Sequence, residues 1–260
     1  EYEPGIAYYH LDSPEKIYYD KYEPDAQTDM TIQQLKRLRV SNKPFALSLS
    51  IGTPHDPWIP ENVPADCLKR FQNTDFHIPE NYLSENDPHA DAWACLSSEE
   101  RKQLTDWMRV YYAMTANLDD NIGRLLSAIK EMGLDQNSII VFTSDHGEMF
   151  GAHGRRAKNI FYEEAIRVPF LIKWKDHLAE GIKRDFVFNT VDIMPSLLSL
   201  MGLPIPDEVE GTDLSRCIMG EQDTENGALM MCTGPTAVFG DGQEWRAFRT
   251  KKYTYAVFKS

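Results

Sequence analysis

One stretch of this chain limits its architecture more than any other. From Ser97 onward, apolar residues recur at Leu104, Trp107/Met108, Tyr111, Met114, Leu118, Ile122, Leu125 and Ile129, a helical spacing that holds to Met132. Ser97 with Glu100 offers a capping box at one end, and Gly133 offers a stop at the other. At 1.5 Å per residue such a helix reaches about 50 Å, enough to lie along the whole edge of a sheet. "SIIVFT" follows it directly, a short apolar and β-branched run that reads as a buried strand. A long helix feeding a buried strand points to an α/β layer architecture.

The rest of the chain fits that frame. Residues 1–27 are rich in Tyr, Asp and Pro without a period and read as a connecting segment. "TDMTIQQLKRLRV" has helical spacing at Ile32, Leu35 and Leu38 or Val40, and "KPFALSLSIG" reads as a buried strand closed by Gly52. From Thr53 to about Ser97 runs a stretch rich in Pro, Asn, Asp and His, of a length that is uncommon in compact domains unless it is functional. "VPFLIKW" reads as a third strand. "VFNTVDIMPSLLSLMG" reads as a helix in which Pro195 predicts a kink or a late start. The tail segments "GALMMCTGP", "EWRAFRT" and "KYTYAVF" read as strands. Strands alternating with helices predict a mainly parallel sheet flanked by helices, with antiparallel strands near the C-terminus.

Composition removes some functions from consideration. With 27 basic against 40 acidic residues the formal net charge is −13, so a broad nucleic-acid surface is excluded and a polyanion needs a local basic cluster. Cys67, Cys95, Cys217 and Cys232 are scattered, with neither a zinc-ribbon spacing nor a disulfide framework. No apolar run approaches the roughly 18 residues a membrane span requires. No N-x-[ST] sequon occurs. The chain opens "EYEPGIAYYH" and reads as an excised or processed piece.

The chemistry concentrates in "SDHGEMFGAHGRRAKNIFYEEAIRVPFLI", from Ser144 to Ile172. Asp145 and His146 follow a strand, where an open α/β sheet collects its ligand-binding groups. A carboxylate and an imidazole on adjacent residues can converge on one cation, and Gly147 lets the chain turn away from them. The plainer alternative is a turn capped by Asp145 with His146 merely exposed. Arg155, Arg156 and Lys158 stand close in sequence; cations beside a metal make a receptacle for a tetrahedral oxyanion. His153, between glycines, reads as ordering the loop. Glu163, Glu164 and Arg167 read as an ion network that holds it. Asp119 and Asp120 resemble a carboxylate pair, but helical spacing gives them a solvated or capping role. His77 and His89 lie in the long variable stretch, where nothing requires them to reach a ligand.

The string S-D-H-G-E-x-x-G-x-H-G-x-x-x-K continued by "YEEAIRVP" closely resembles the sulfatases of the alkaline phosphatase superfamily. The resemblance extends to "PFALSLSIGTPHDPW", to the long helix leading into "VFTSDHG", to "FNTVDIMPSLLSLMGLPIP" and to "EGTDLS", roughly residues 40–215. It implies a three-layer alkaline-phosphatase-like fold and hydrolysis of a sulfate ester, on a sulfated carbohydrate or aryl substrate. It implies that Asp145 and His146 are calcium ligands, that Lys158 holds the sulfate and its bridging oxygen, and that His55 lies near the leaving group. Export to a periplasmic, secreted or lysosomal compartment is the family's habit. Residues 1–225 would then be a partial catalytic domain, and residues 226–260 the start of an antiparallel subdomain.

Two departures qualify the match. Histidine replaces the asparagine common at position 146, and calcium prefers oxygen ligands, so the metal's identity stays open. The family's nucleophile is a formylglycine made from a C-x-P-S-R or C-x-A-S-R motif, which none of the four cysteines begins, and the early aspartate pair that completes the calcium site is absent before His55. Both are expected in a missing N-terminal part, and the chain alone is expected to be inactive. Two other readings remain: a metal-dependent phosphoesterase or phosphonate hydrolase of the same superfamily, since His146 suits zinc, and a non-catalytic fragment that binds sulfated glycans.

Overall fold

The computed structural model describes residues 8–9, 14–82, 89–232 and 244–258. In chain order the elements are β1 (Tyr8–Tyr9), β2 (Lys16–Ile17), α1 (Glu23–Ser41), α2 (Ala65–Lys69), α3 (Ser98–Glu131), β3 (Ile139–Thr143), α4 (Glu163–Ile166), β4 (Phe170–Trp174), α5 (Thr190–Leu200), α6 (Ser215–Met219), β5 (Ala228–Cys232), β6 (Trp245–Arg249) and β7 (Thr254–Phe258). The chain divides into two compact units. The first holds residues 1–140 and 149–156, the second 141–148 and 157–260.

In the first unit α3 is the organising element. Its capping box forms as its sequence predicts: the Glu100 backbone N–H donates to the Ser97 hydroxyl, and the Ser97 N–H donates to the Glu100 carboxylate at 2.7 Å. Gly133 closes the far end in the left-handed region at φ 71°. The apolar stripe of α3 buries Val110, Ala113 and Met114 against Trp58, Val63 and Cys67. One turn earlier it buries Leu104 and Met108 against Leu96, Phe76 and Tyr82. A second face of α3 meets α1 through a polar seam. There Asn121, buried, donates to Asp25 at 2.6 Å and Asn117 donates to the same oxygen at 3.2 Å. Asp29 takes Lys21 at 2.5 Å and also pairs with Arg124. Asp120 forms a two-pronged pair with Arg70 on the surface, in keeping with a solvated role.

The second unit carries β4 beside β3 and a three-stranded antiparallel sheet in the order β5–β6–β7, with Leu229 opposite Phe248 and Phe248 opposite Tyr255. The tail strands form where the sequence predicts them, except that the part of "GALMMCTGP" beyond Cys232 lies outside the described residues. Helix α5 is capped by Asn189, which exchanges hydrogen bonds reciprocally with Asp192.

Four expectations are corrected. The run Pro44–Gly52 forms no regular element and belongs to no ladder among the described residues, and Phe45 and Leu47 are each 38% exposed. An apolar run becomes a buried strand only when neighbours pair and cover it. For the same reason β3 and β4 are half-buried and not buried. Helix α1 begins five residues before the expected Thr28, because Pro24 at its first turn starts a helix without needing a donor. Pro195 does not delay α5, which runs without a break from Thr190 to Leu200. The Val191 carbonyl, which Pro195 cannot bond, faces the backbone of Gly211, where a Cβ would stand 1.9 Å from that oxygen.

Candidate active site

Asp145 and His146 lie just past β3 in the second unit. The Asp145 Oδ1 accepts the His146 backbone N–H at 2.9 Å, and the Ser144 hydroxyl donates to the His146 carbonyl at 2.9 Å. This is the capped turn of the plainer reading, yet it leaves Asp145 Oδ2 3.4 Å from His146 Nε2. His146 Nδ1 lies 2.9 Å from the Gly147 carbonyl, which can only accept, so in the neutral ring Nδ1 carries the proton and Nε2 presents a lone pair. Two electron-pair donors therefore face each other at a separation that a cation between them would bridge. Asp145 is 82% exposed, which leaves the pair open to further ligands. No group of three or more His, Cys, Asp or Glu stands ready as a metal site among the described residues. The donor set of one carboxylate and one imidazole fits a divalent cation.

Gly147 works by close approach. Its N–H donates to the Ala165 carbonyl at 2.8 Å, and a Cβ would stand 1.9 Å from the Glu164 carbonyl oxygen. The turn carrying Asp145 and His146 is thereby fastened to "YEEAIRVP". Lys158, part-buried, directly follows Ala157, whose N–H donates to the Glu148 carboxylate at 2.7 Å and whose backbone is held at φ 65°. A non-glycine residue in that region is costly and persists only where surrounding contacts fix it. Trp245 Nε1 donates to the Asn159 carbonyl at 3.4 Å, and Phe161 packs edge-on against Trp245. Glu163 is the hub of the expected ion network, taking Arg249 at 2.6 Å and Arg167 at 3.8 Å.

His55 belongs to the first unit, exposed just past Gly52. Its Nδ1 lies 2.7 Å from the Asp56 carboxylate. Arg156 pairs with Asp56 at 3.3 Å and lies over the Trp107 and Trp58 rings, so it is committed to neighbours where sequence left its role open. His153 orders the loop as its glycine flanks suggest, adopting φ 54° while its N–H donates to the Asn81 carbonyl at 3.0 Å. Asp91 donates its N–H to the Gly154 carbonyl and accepts the Arg156 N–H at 3.0 Å, while the His89 carbonyl accepts from Arg155. Asp56, Asp91 and Glu148 escaped the sequence reading. Only Asp56 gave a signal, as the acidic neighbour of His55 between two prolines.

No disulfide joins the four cysteines among the described residues, and Cys67 and Cys217 are buried. None begins the formylglycine motif, so no residue of this chain fits that group.

The sulfatase family model matches residues 2–203. The chain belongs to the sulfatase family. An ulvan-active sulfatase of Formosa agariphila is 36% identical to it, across 96% of this chain and 47% of that protein. An arylsulfatase of Clostridium perfringens is 35% identical, across 72% of this chain and 40% of that protein. The crystal structure of yidJ from Bacteroides fragilis superposes with a TM-score of 0.83 at 28% identity, covering 100% of this chain and 54% of its own. This sulfatase chain thus has the α/β alkaline-phosphatase-like fold, and it spans about half the length of the curated relatives it matches. The family as a whole uses a metal and a formylglycine. No helix among the described residues is long and apolar enough to cross a membrane.

Proposed function

We propose that this chain forms part of a sulfuric ester hydrolase acting on a sulfated glycan or aryl sulfate, with Asp145, His146, Lys158 and His55 as its contribution to the site. The observation that carries the reading is the facing of Asp145 Oδ2 and His146 Nε2 at 3.4 Å within a sulfatase-family chain. Asp145 and His146 would hold the cation, calcium in the first instance, which supplies neutralisation of the sulfate oxygens. Lys158 places its ammonium on the sulfate and the bridging oxygen. His55 gives a proton to the departing alcohol, whose negative charge would otherwise build up as the S–O bond lengthens. The substrate class is supported by the ulvan-active relative, and export by the family's habit. Residues 1–225 are a partial catalytic domain and residues 226–260 begin an antiparallel subdomain. The nucleophile is not supplied by this chain, and the chain alone is inactive.

Calorimetry with calcium, beside sulfate release from an aryl sulfate by the full-length natural protein, tests this. Asp145→Asn is expected to weaken calcium binding at least about tenfold, and Lys158→Ala to lower kcat/KM by about 100-fold. Equal calcium affinity in Asp145→Asn, or undiminished turnover in Lys158→Ala, overturns the assignment. The nitrogen donor of His146 keeps a phosphoesterase in view: two tightly bound transition-metal ions and faster cleavage of a phosphate than of a sulfate ester select it instead.

A further inference from the structure

We propose that Asp56 is a positioning residue for His55, fixing the imidazole as its Nδ1–H tautomer, and that Arg156 fixes Asp56 in turn. The inference rests on the reading of His55 as the proton donor and deepens it.

Two atoms crowd His55 Nδ1: the Asp56 carboxylate Oδ1 at 2.7 Å and the Asp56 main-chain carbonyl at 2.9 Å. Both can only accept, so Nδ1 carries a proton in every charge state of the ring, and Nε2 becomes the nitrogen that takes up and gives up a proton. Asp56 is itself oriented. Its other oxygen, Oδ2, lies 3.3 Å from the Arg156 guanidinium. That guanidinium lies over Trp107 at 5.1 Å and Trp58 at 5.7 Å, and stacking of this kind restricts the plane of an arginine. The Arg156 backbone N–H is anchored on the Asp91 carboxylate at 3.0 Å.

The turn that bears the pair is also fastened. Buried Trp58 donates its indole N–H to the Pro54 carbonyl at 2.8 Å, the His55 N–H donates to the Gly52 carbonyl at 3.0 Å, and Asn62 donates to the Pro57 carbonyl at 3.1 Å. His55 therefore stands on a turn braced on both sides. An exposed carboxylate with no such brace would rotate freely and select no tautomer. Sequence places Arg156 a hundred residues from Asp56, so only the fold reveals the chain of contacts.

Nitrogen-15 NMR of the histidine rings at about pH 8.5, where the unperturbed imidazole is neutral, reads the tautomer directly. His55 in the wild-type full-length protein is expected to show Nδ1 protonated and Nε2 unprotonated. An Nε2–H tautomer, or an even mixture, overturns the proposal with no variant needed. Asp56→Ala, which removes the carboxylate but keeps the main-chain carbonyl at 2.9 Å, is expected to shift part of the population toward Nε2–H, and an unchanged spectrum overturns the role given to the carboxylate. The substitution should lower kcat by about 10- to 100-fold with KM little changed, and more on alkyl sulfates than on activated aryl sulfates, because good leaving groups need no proton. Arg156→Ala is expected to produce a smaller change of the same pattern. A tautomer shift in Asp56→Ala with kcat unchanged on both substrates also overturns it. If His55→Ala itself leaves alkyl sulfate turnover intact, the proton-donor reading fails, while comparison of the wild-type and Asp56→Ala spectra still decides whether the Asp56 carboxylate sets the tautomer.

Discussion

Gly147 has a backbone that any residue could adopt and yet no space for one, since the Glu164 carbonyl oxygen occupies the place of a Cβ at 1.9 Å. Gly147→Ala is expected to destabilise the protein by about 1–3 kcal/mol, the usual range for overpacking against backbone, and to lower calcium affinity by displacing the Asp145–His146 turn. Denaturant unfolding and calorimetry of the variant check both. The sequence predicted a glycine-dependent turn here, but it located the reason in backbone freedom. The true reason is an approach by a segment 17 residues downstream, which no local pattern can disclose. The cysteines behave likewise. Burial pushes the Cys67 and Cys217 thiols up, whereas Cys95 is exposed. A thiol reagent at mild pH is therefore expected to label Cys95 in the native protein and to reach Cys67 and Cys217 only after unfolding; native labelling of Cys67 counts against this packing. The pair Asp145 and His146 was legible as neighbours with the right donors. Their facing geometry depended on which nitrogen the Gly147 carbonyl claims.

Helix α3 shows where local sequence suffices. Its stripe, its Ser97–Glu100 box and its Gly133 stop all lie within one continuous stretch, and every one of them forms. The hydrogen bonds from Ser97 hold the Glu100 carboxyl below its ordinary range. A carboxylate whose pKa is depressed on folding stabilises the folded state above the unfolded pKa, and that contribution is lost as pH falls through the folded value. The cap's contribution is thus expected to be complete at neutral pH and to fade below about pH 4.5, the ordinary value for glutamate. Comparing unfolding midpoints of wild type and Glu100→Gln from pH 7 to pH 3 checks it: the two should converge on acidification. Helix α5 is the contrary case. Pro195 predicted a kink or a late start, but Gly211 closes on the carbonyl that proline leaves unbonded, and Thr212 donates to Asp192 at 2.8 Å. The remedy lies outside the helix. Strand prediction for Phe45–Ile51 failed for the same cause, since a strand is completed by what lies beside it.

Across the molecule, the fold class was legible because alternating helix and strand periods are dense along the chain, and the family string between Ser144 and Lys158 agreed with them. What stayed hidden was surface. On the β5–β7 sheet one face buries Ala228, Trp245 and Ala247, while the other presents Leu229, Met231, Phe248, Tyr255 and Val257 to solvent. Both faces alternate equally well in sequence. Arg246 stands on that second face opposite Met231 and Val257, and a largely apolar face of this kind is expected to bind an apolar fluorescent dye under native conditions, with Leu229→Lys plus Phe248→Glu abolishing the signal without lowering the melting temperature. Dye binding that survives the double substitution shifts the source elsewhere. One earlier feature bears on how such a protein can diversify. Asn81 and Asp91 each tie to the segment that carries His153 and Arg156, one through its carbonyl and the other through both its N–H and its carboxylate. His89, between them, holds the same segment as well, its carbonyl accepting from Arg155. All of these ties but one leave Asn81, His89 and Asp91 through the main chain, which substitution leaves in place, so the carboxylate of Asp91 is the one group among them that sequence drift must keep if the supports of His55 are to stand.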